Sequence, residues 1–425
     1  MNDESTATAP ASPEGPLAGV RVVDITEVLM GPSATQMLAD LGADVIKIEP
    51  PGGDIVRATG PGGRKGAGPL FLNLNRNKRS LVLDLKKPQG KEALLRLAKT
   101  ADVLVYNVRP QAMQRLGLGY EALRAVNPRL VYVGTFGFSQ RGRYASARAF
   151  DDLIQAAVAI PEAVVRAGSD VPRYVPLNLA DRATGMYAFG VICAALYARE
   201  RTGQGQAVAV PMFETMAQVV LGDHLYGHTF IPARGNFGYP RLLNAQRRPY
   251  QTRDGFACCL VYTDEQWAAF MTATGDAELV RSDPRFKDGE ARMQHIDELY
   301  EIVAGKLRER TTDEWKATLE PVGITVFPVH SFESLLEDEH LADIGFFQQY
   351  QHASEGTLRT MSVPSEWSLS TLPPLRPPPL LGQHSRELLR ELGYRDDEIE
   401  TMIAEGATEA ASGARERTDA RQPRR

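Results

Sequence analysis

Short runs of branched apolar residues alternate with stretches of helical spacing through the first half of this chain. That alternation constrains its fold more than any other feature. Residues 20–25 (VRVVDI) read as a buried strand. Residues 32–41 (PSATQMLADL) carry apolar positions at helical spacing with Gly42 as a stop, and 45–48 (VIKI) form the next strand. The pattern repeats with a strand at 81–85, a helix at 88–100, a strand at 103–106, a helix starting at 112–116 and a strand at 130–133. Strands that alternate with helices build parallel β-α-β units, which predicts a Rossmann-like sheet. Ligands of such sheets bind beyond the carboxyl ends of the strands.

The 425 residues leave room for two or three domains of ~150 residues. The character of the chain changes after an apolar helix at 183–198. A turn, Thr202-Gly203-Gln204-Gly205-Gln206, leads into a strand at 207–210 and a helix at 213–221. Residues 228–250, rich in Gly, Pro, Arg and Asn, read as a linker. A strand at 256–261, Trp267 on the helix after it, and amphipathic helices at 297–308 and 312–319 outline a small domain. A Pro-rich stretch at 372–379 and a helix at 385–391 come later. The predicted organisation is a tail at 1–16, a large Rossmann-like α/β domain beginning at 17–225, linkers and a smaller α+β domain at 226–335, a C-terminal return to the large domain at 336–408, and a tail at 409–425. Both tails are poor in apolar residues and are expected to be disordered.

Composition removes several function classes. A balance of 48 Lys and Arg against 53 Asp and Glu, net −5, argues against a nucleic-acid partner held by phosphate attraction. No uninterrupted apolar run approaches the ~18 residues of a membrane span, so no membrane partner is expected. Three cysteines, Cys193 and the adjacent Cys258 and Cys259, exclude a disulfide framework and a four-cysteine zinc site. The N-terminus lacks the basic start and apolar core of a signal peptide, and a cytoplasmic protein is expected. His224 and His228 stand at i, i+4 without a third ligand type, so no metal is expected. The turn after the first strand, Thr26-Glu27-Val28-Leu29-Met30-Gly31-Pro32, lacks the GxGxxG that lets a backbone close on a pyrophosphate. Glu49 ends the second strand where a ribose-binding acid would sit, which without the glycines is weak support for a nicotinamide cofactor. GxxxxGK[ST], HExxH and GxSxG are absent as well.

Seven segments carry a resemblance in a fixed order. They are LAGVRVVDIT, GPSATQMLADLGADVIKIEPPGGDIVR, NRNKRSLVLDLK, NVRPQAMQRLGLGYEAL with NPRLVYV, LADRATGMYA, RTGQGQAVAV and PPLLGQHSRELLRELG. Together they span most of residues 17–393, and the chain resembles the family III CoA-transferases, the group of formyl-CoA transferase, carnitine CoA-transferase and α-methylacyl-CoA racemase. The resemblance implies a large Rossmann-like domain, a small domain, a C-terminal segment returning to the large one, and two protomers interlocked as a homodimer. It implies acyl-CoA and a carboxylic acid as substrates, with coenzyme A entering as part of the substrate and no permanently bound cofactor.

In such transferases an aspartate is the nucleophile, and the matching residue is Asp181 in LADRATG. From the residues alone, an Asp ahead of an apolar helix also reads as an N-cap. The expected mechanism is covalent, through an aspartyl anhydride and an aspartyl-CoA thioester. Oxyanion donors are expected from the backbone near Gly137 or Gly31. CoA carries phosphates, so the resemblance assigns Lys78, Arg79 and Arg115 to its binding, while Asn107 and Arg109, after the strand at 103–106, lie where a switch-point loop meets the ligand, with Val28, Leu29 and Gly137 beside it. Racemases of the group pair the aspartate with a histidine, and Phe150 in Arg148-Ala149-Phe150-Asp151-Asp152 stands at that place, which favours transfer over α-proton exchange. Asp151 and Asp152 are substitute bases in the racemase reading. A catalytically silent acyl-CoA-binding relative is the third reading, and retention of Asp181 argues against it. Several positions depart from formyl-CoA transferases. Pro50 and Pro51 follow Glu49, Phe136 replaces a Lys, Leu29 and Met30 replace a Gln, and no glycine-rich lid appears at 259–266. These point away from formyl-CoA and oxalate. Arg182, Arg148 and Arg234 are the candidate cations for a dicarboxylate.

Overall fold

A computed structural model of the chain describes residues 15–62, 66 and 68–411. Both expected tails lie mostly outside those residues. Two compact units are present, one of residues 1–154, 178–216 and 345–425, the other of residues 155–177 and 217–344.

The first unit is built on a six-stranded sheet in the order β3-β2-β1-β4-β5-β6, parallel throughout. The strands are β1 (Arg21–Ile25), β2 (Asp44–Glu49), β3 (Arg79–Val82), β4 (Val103–Tyr106), β5 (Val131–Phe136) and β6 (Ala207–Pro211). Strand order reverses direction between β1 and β4, the switch point where a cleft opens in doubly wound sheets. Successive residues of each strand face opposite sides, and both sides are covered. Val22, Val45, Val103 and Val131 face helix α1 (Met30–Asp40) and the long helix Leu179–Thr202. Val23, Ile46, Leu81 and Leu104 face the helices Pro88–Ala98, Ser385–Glu391 and Asp396–Ala404. This double cover is why the strands read as unbroken apolar runs.

The C-terminal return is tied to β3 through its main chain. Ser385 Oγ accepts from the Val82 amide at 3.2 Å, and Thr408 Oγ1 donates to the Val82 carbonyl at 2.6 Å. A hairpin of β10 (Phe347–His352) and β11 (Gly356–Met361) also belongs to this unit. Arg76, buried against Asp40, donates to Thr360 Oγ1 at 3.1 Å and to the Met361 carbonyl.

The long helix starts four residues before the expected 183, with Asn178 as its N-cap residue. By length and composition it is apolar enough to cross a membrane, which a count of uninterrupted apolar runs overlooks. Ala188, Ile192, Ala195 and Leu196 pack on the sheet, the position of a core helix. Met186, Tyr187 and Tyr197 on other faces are exposed.

The second unit has a three-stranded antiparallel sheet, β7 (Tyr250–Gln251), β8 (Phe256–Cys259) and β9 (Val326–Pro328). Trp267, Phe270 and Trp315 fill its core, and Trp315 Nε1 donates to the Leu307 carbonyl at 2.8 Å. Capping boxes at Thr263/Gln266 and Thr311/Glu314 fix where two of its helices start. Residues 155–177, expected in the large domain, belong here. This segment includes the helix Ile160–Arg166, and Gln155 closes it on itself by accepting from the Val175 amide and donating to the Leu177 carbonyl.

Lys78 is corrected from its expected role. Its ammonium is fully buried and donates to Asp24 Oδ2 at 3.0 Å, Thr35 Oγ1 at 2.8 Å, Asn75 Oδ1 at 2.8 Å and the Pro32 carbonyl at 3.0 Å. Such saturation leaves nothing for a phosphate. Burial works against the Asp24 carboxylate, but Lys78 and Lys47 together hold it down at about 2. Burial drags Lys78 down to about 8, because it shares Asp24 with the like charge of Lys47. Lys78→Met strands a buried carboxylate. It is expected to lower unfolding free energy by ~3–5 kcal/mol in chemical denaturation. A loss under about 1 kcal/mol would contradict this assignment.

Candidate active site

A cavity of about 660 Å³ opens at the switch point of the sheet. Its walls come from the turn after β1 (Glu27, Val28, Leu29, Met30), the turn after β4 (Asn107, Val108, Arg109), Phe136 and Gly137 at the end of β5, residues 147–150, and Asp181. Six expected site residues thus converge: Asp181, Val28, Leu29, Asn107, Arg109 and Gly137. Three do not. Lys78 is saturated in the core. Arg79 lies at the start of β3 and is held by Asp44, Glu387 and Glu391. Arg115 is exposed at the end of the short helix Pro110–Arg115 and does not line the cavity.

Asp181 sits inside the first turn of the long helix, so the N-cap reading is corrected. Its position is set by a close helix crossing. Gly185 lies one turn on, on the same helix face as Asp181. A Cβ there would meet Ser33 Oγ at 2.1 Å and the Met30 carbonyl at 2.8 Å, so only glycine allows this approach to the start of α1. One turn earlier, the Asp181 carboxylate lies beside the start of α1, whose Met30 amide at the electropositive helix end draws the carboxyl down. Asp151, at the start of the helix Asp151–Ala157, takes the Asp181 amide at 2.9 Å. Gly137 is glycine because a Cβ would lie 2.2 Å from Ala149 Cβ, which would push the 147–150 wall outward.

The turn after β1 is strained. Val28 has φ +69°, a conformation that β-branched side chains rarely adopt and that costs ~1–2 kcal/mol. Its neighbours are gripped by side chains. Asn107 Oδ1 accepts from the Glu27 amide at 3.1 Å and its Nδ2 donates to the Glu27 carbonyl at 2.7 Å. Lys47 Nζ donates to the Thr26 carbonyl at 2.7 Å, and Asp54 Oδ1 accepts from the Val28 amide at 3.2 Å. Hydrogen bonds to charged groups contribute ~1.5–3 kcal/mol each, enough to outweigh the strain.

Glu49 is not a ribose ligand. It is buried and forms a two-point pair with Arg57 at 2.6 and 2.7 Å. His228 stacks on Phe237 with ring centroids 3.7 Å apart, and His224 Nδ1 accepts from the Tyr239 amide. Among the described residues no group of three His, Cys, Asp or Glu could hold a metal ion. Phe150 lines the cavity, 63% exposed, at the place where a racemase would need an imidazole. Met30 and Gly185 escaped residue-based reading. Gly185 was visible as the glycine four residues after Asp181, but its partner on α1 was not.

The sheet and the cavity at its switch point define an α/β protein of the doubly wound class. The chain belongs to CoA-transferase family III, whose model matches residues 17–385. It is 31% identical to succinyl-CoA:glutarate CoA-transferase of Mus musculus, over 93% of this chain and 90% of that protein. It is 33% identical to formyl-CoA:oxalate CoA-transferase of Escherichia coli, over 91% and 98%. Among solved structures, a CaiB/BaiF family protein from Brucella suis superposes with a TM-score of 0.76 at 28% identity, covering 89% of this chain and all of that one.

Burial first, and the Asp151 charge second, push the Asp181 carboxyl up to about 6. A raised acid destabilises the fold where it is ionised. That penalty is present above about 6 and fades as pH falls toward the ordinary 3.8. Asp181→Asn is therefore expected to raise the thermal midpoint at pH 8 by a few degrees, ~1 kcal/mol after discounting for partial exposure. The gain should vanish near pH 4. An equal gain at both pH values would contradict it.

Proposed function

We propose that this protein moves CoA from an acyl-CoA donor to a free carboxylic acid, with Asp181 as the covalent carrier. The observation that carries the reading is a half-buried aspartate in the wall of the switch-point cavity, one turn from where the long helix crosses the start of α1. An Asp181 oxygen attacks the thioester carbonyl carbon, the C–S bond breaks, and CoA leaves as thiolate. An acyl-aspartyl anhydride remains. The thiolate attacks the Asp181 carbonyl carbon, the anhydride C–O bond breaks, and the donor acid departs as carboxylate. Asp181 now carries CoA as a thioester. The acceptor carboxylate attacks that thioester and expels the thiolate. Thiolate attack on the acceptor carbonyl of the second anhydride releases acyl-CoA and restores Asp181. Each step exchanges one acyl bond for another, so no cofactor is consumed.

A carboxyl titrating near 6 suits the task, being mostly ionised at neutral pH and more basic than an ordinary aspartate. The Met30 amide is placed to receive negative charge on the aspartyl oxygen during thiolate attack. Arg109 and Arg148 are the cavity's arginines. In this reading Arg109 meets a CoA phosphate and Arg148 the far carboxylate of a short dicarboxylic acid, the acceptor type named for both curated relatives. Arg182, beside Asp181, is exposed, and Arg234 lies over the Phe230 ring.

The test is a screen of pooled acyl-CoAs against pooled free acids, read by mass spectrometry. New thioesters are expected, chiefly of dicarboxylic acids. Exchange should fall by at least ~10³-fold in Asp181→Ala. Activity should also be lost as pH falls through about 6, because only the carboxylate attacks. Exchange that survives Asp181→Ala would overturn the nucleophile, and monocarboxylic acids outcompeting dicarboxylic ones would overturn the role of Arg148.

The reading includes a homodimer. Met186, Tyr187 and Tyr197, between 52% and 64% exposed on one long helix, support it, since monomers seldom leave such an apolar surface uncovered. Sedimentation at micromolar concentration is expected to give a dimer, and a monomer would reject it.

A further inference from the structure

Lys47 and Asp54 are fully buried ionised side chains that line no part of the cavity. A buried ion pair adds little stability over a well-packed apolar pair, so its presence under a ligand site calls for another reason. The reason lies in what the two side chains hold. The peptide planes joining Thr26 to Glu27 and Glu27 to Val28 have two polar ends each. All four ends are taken by side chains. Lys47 holds the Thr26 carbonyl, Asn107 holds the Glu27 amide and carbonyl, and Asp54 holds the Val28 amide. Lys47 and Asp54 are themselves joined at 3.0 Å, and Asp54 is anchored further by the Val56 amide on its Oδ1. Its own amide donates to Glu49 Oε2 at 3.1 Å. Main chain this completely held does not relax, and Val28 keeps its left-handed conformation inside that grip.

Two residues beyond Val28, the chain enters α1, whose Met30 carbonyl and Ser33 press on Gly185, one turn beyond Asp181 on the long helix. We propose that Lys47 and Asp54 are positioning residues of the transfer reaction: they fix the turn after β1 so that α1 begins in place against the long helix and beside Asp181. The inference rests on the transferase reading for its kinetic arm alone. The chain of contacts runs from Lys47 and Asp54 to the turn, and from the turn to the nucleophile. Neither side chain touches substrate.

The experiment compares the wild type with the charge-neutral double variant Lys47→Met/Asp54→Leu and with the isosteric Asp54→Asn. Each is first shown to be folded by its circular dichroism and a cooperative melt. One readout is kcat and KM in the exchange assay. The other is the titration of the Asp181 carboxyl by NMR, assigned through loss of its signal in Asp181→Asn. The groups facing that carboxyl are Asp151, Arg182 and the Met30 amide, and the variants alter none of their charges. The proposal expects kcat to drop by ~10–100-fold with KM for acyl-CoA within about threefold. It also expects the Asp181 midpoint to rise above about 6 as the Met30 amide withdraws. Asp54→Asn, which keeps an acceptor for the Val28 amide, should show the same two changes at smaller size. It decides alone if the double variant does not fold. Folded variants with unchanged kcat overturn the proposal. A lower kcat with an unmoved midpoint also overturns it, because a merely structural role would leave the carboxyl as it was. If the wild type exchanges no CoA, the transferase reading fails, and the NMR midpoint still decides the positioning claim.

Discussion

Charge buried beneath the first turn is the constraint on which the site depends. Asp24 on β1 meets Lys78, Lys47 on β2 meets Asp54, and Glu49 on β2 meets Arg57, all within the core of one sheet. An apolar core could have been as stable. It could not have held main-chain carbonyls and amides at fixed positions, and Lys47, Lys78 and Asp54 each do so. The sheet supplies a cleft at its switch point, and these charges give that cleft a rigid edge.

Against that edge, the Asp181 carboxyl arrives from a different part of the sequence. The long helix brings Asp181 in, and Gly185 sets how near it comes. Asp151 fixes the helix start through the Asp181 amide and raises the carboxyl by its charge. One contact therefore places the group and tunes it. The Arg182 charge, and after it the Met30 amide, pull the other way, so the carboxyl is basic without being neutral at physiological pH.

The parallel sheet was legible because both of its faces are covered, which turns each strand into a compact apolar run. The edges of helices were less legible. The long helix begins at Leu179, since polar Asp181 and Arg182 look like a boundary while their side chains face a cavity and solvent. Asn107, Arg109, Val28, Leu29 and Gly137 line one cavity because strand ends deliver them there, whereas Asp181 comes to it on a helix and was marked in the sequence only by the resemblance. Lys78 and Arg79 were given to CoA by the resemblance alone, and only tertiary structure reveals the carboxylates that hold them, Asp24 for the first and Asp44, Glu387 and Glu391 for the second. The split of residues 155–177 from the sheet-bearing unit was likewise invisible, because it is set by tertiary contacts rather than by any local signal.

The crossing at Gly185 has a consequence for how the molecule acquires reactivity. Its three contributing segments, the turn after β1, the 147–151 stretch and the start of the long helix, are remote in sequence. They meet only when β1 has paired with β4 and β4 with β5, contacts of high sequence separation that form slowly. Before then Asp181 is an ordinary solvated aspartate, without the burial and the Asp151 charge that raise its carboxyl in the folded protein. The special environment of that carboxyl thus belongs to the closed sheet and to none of its parts alone.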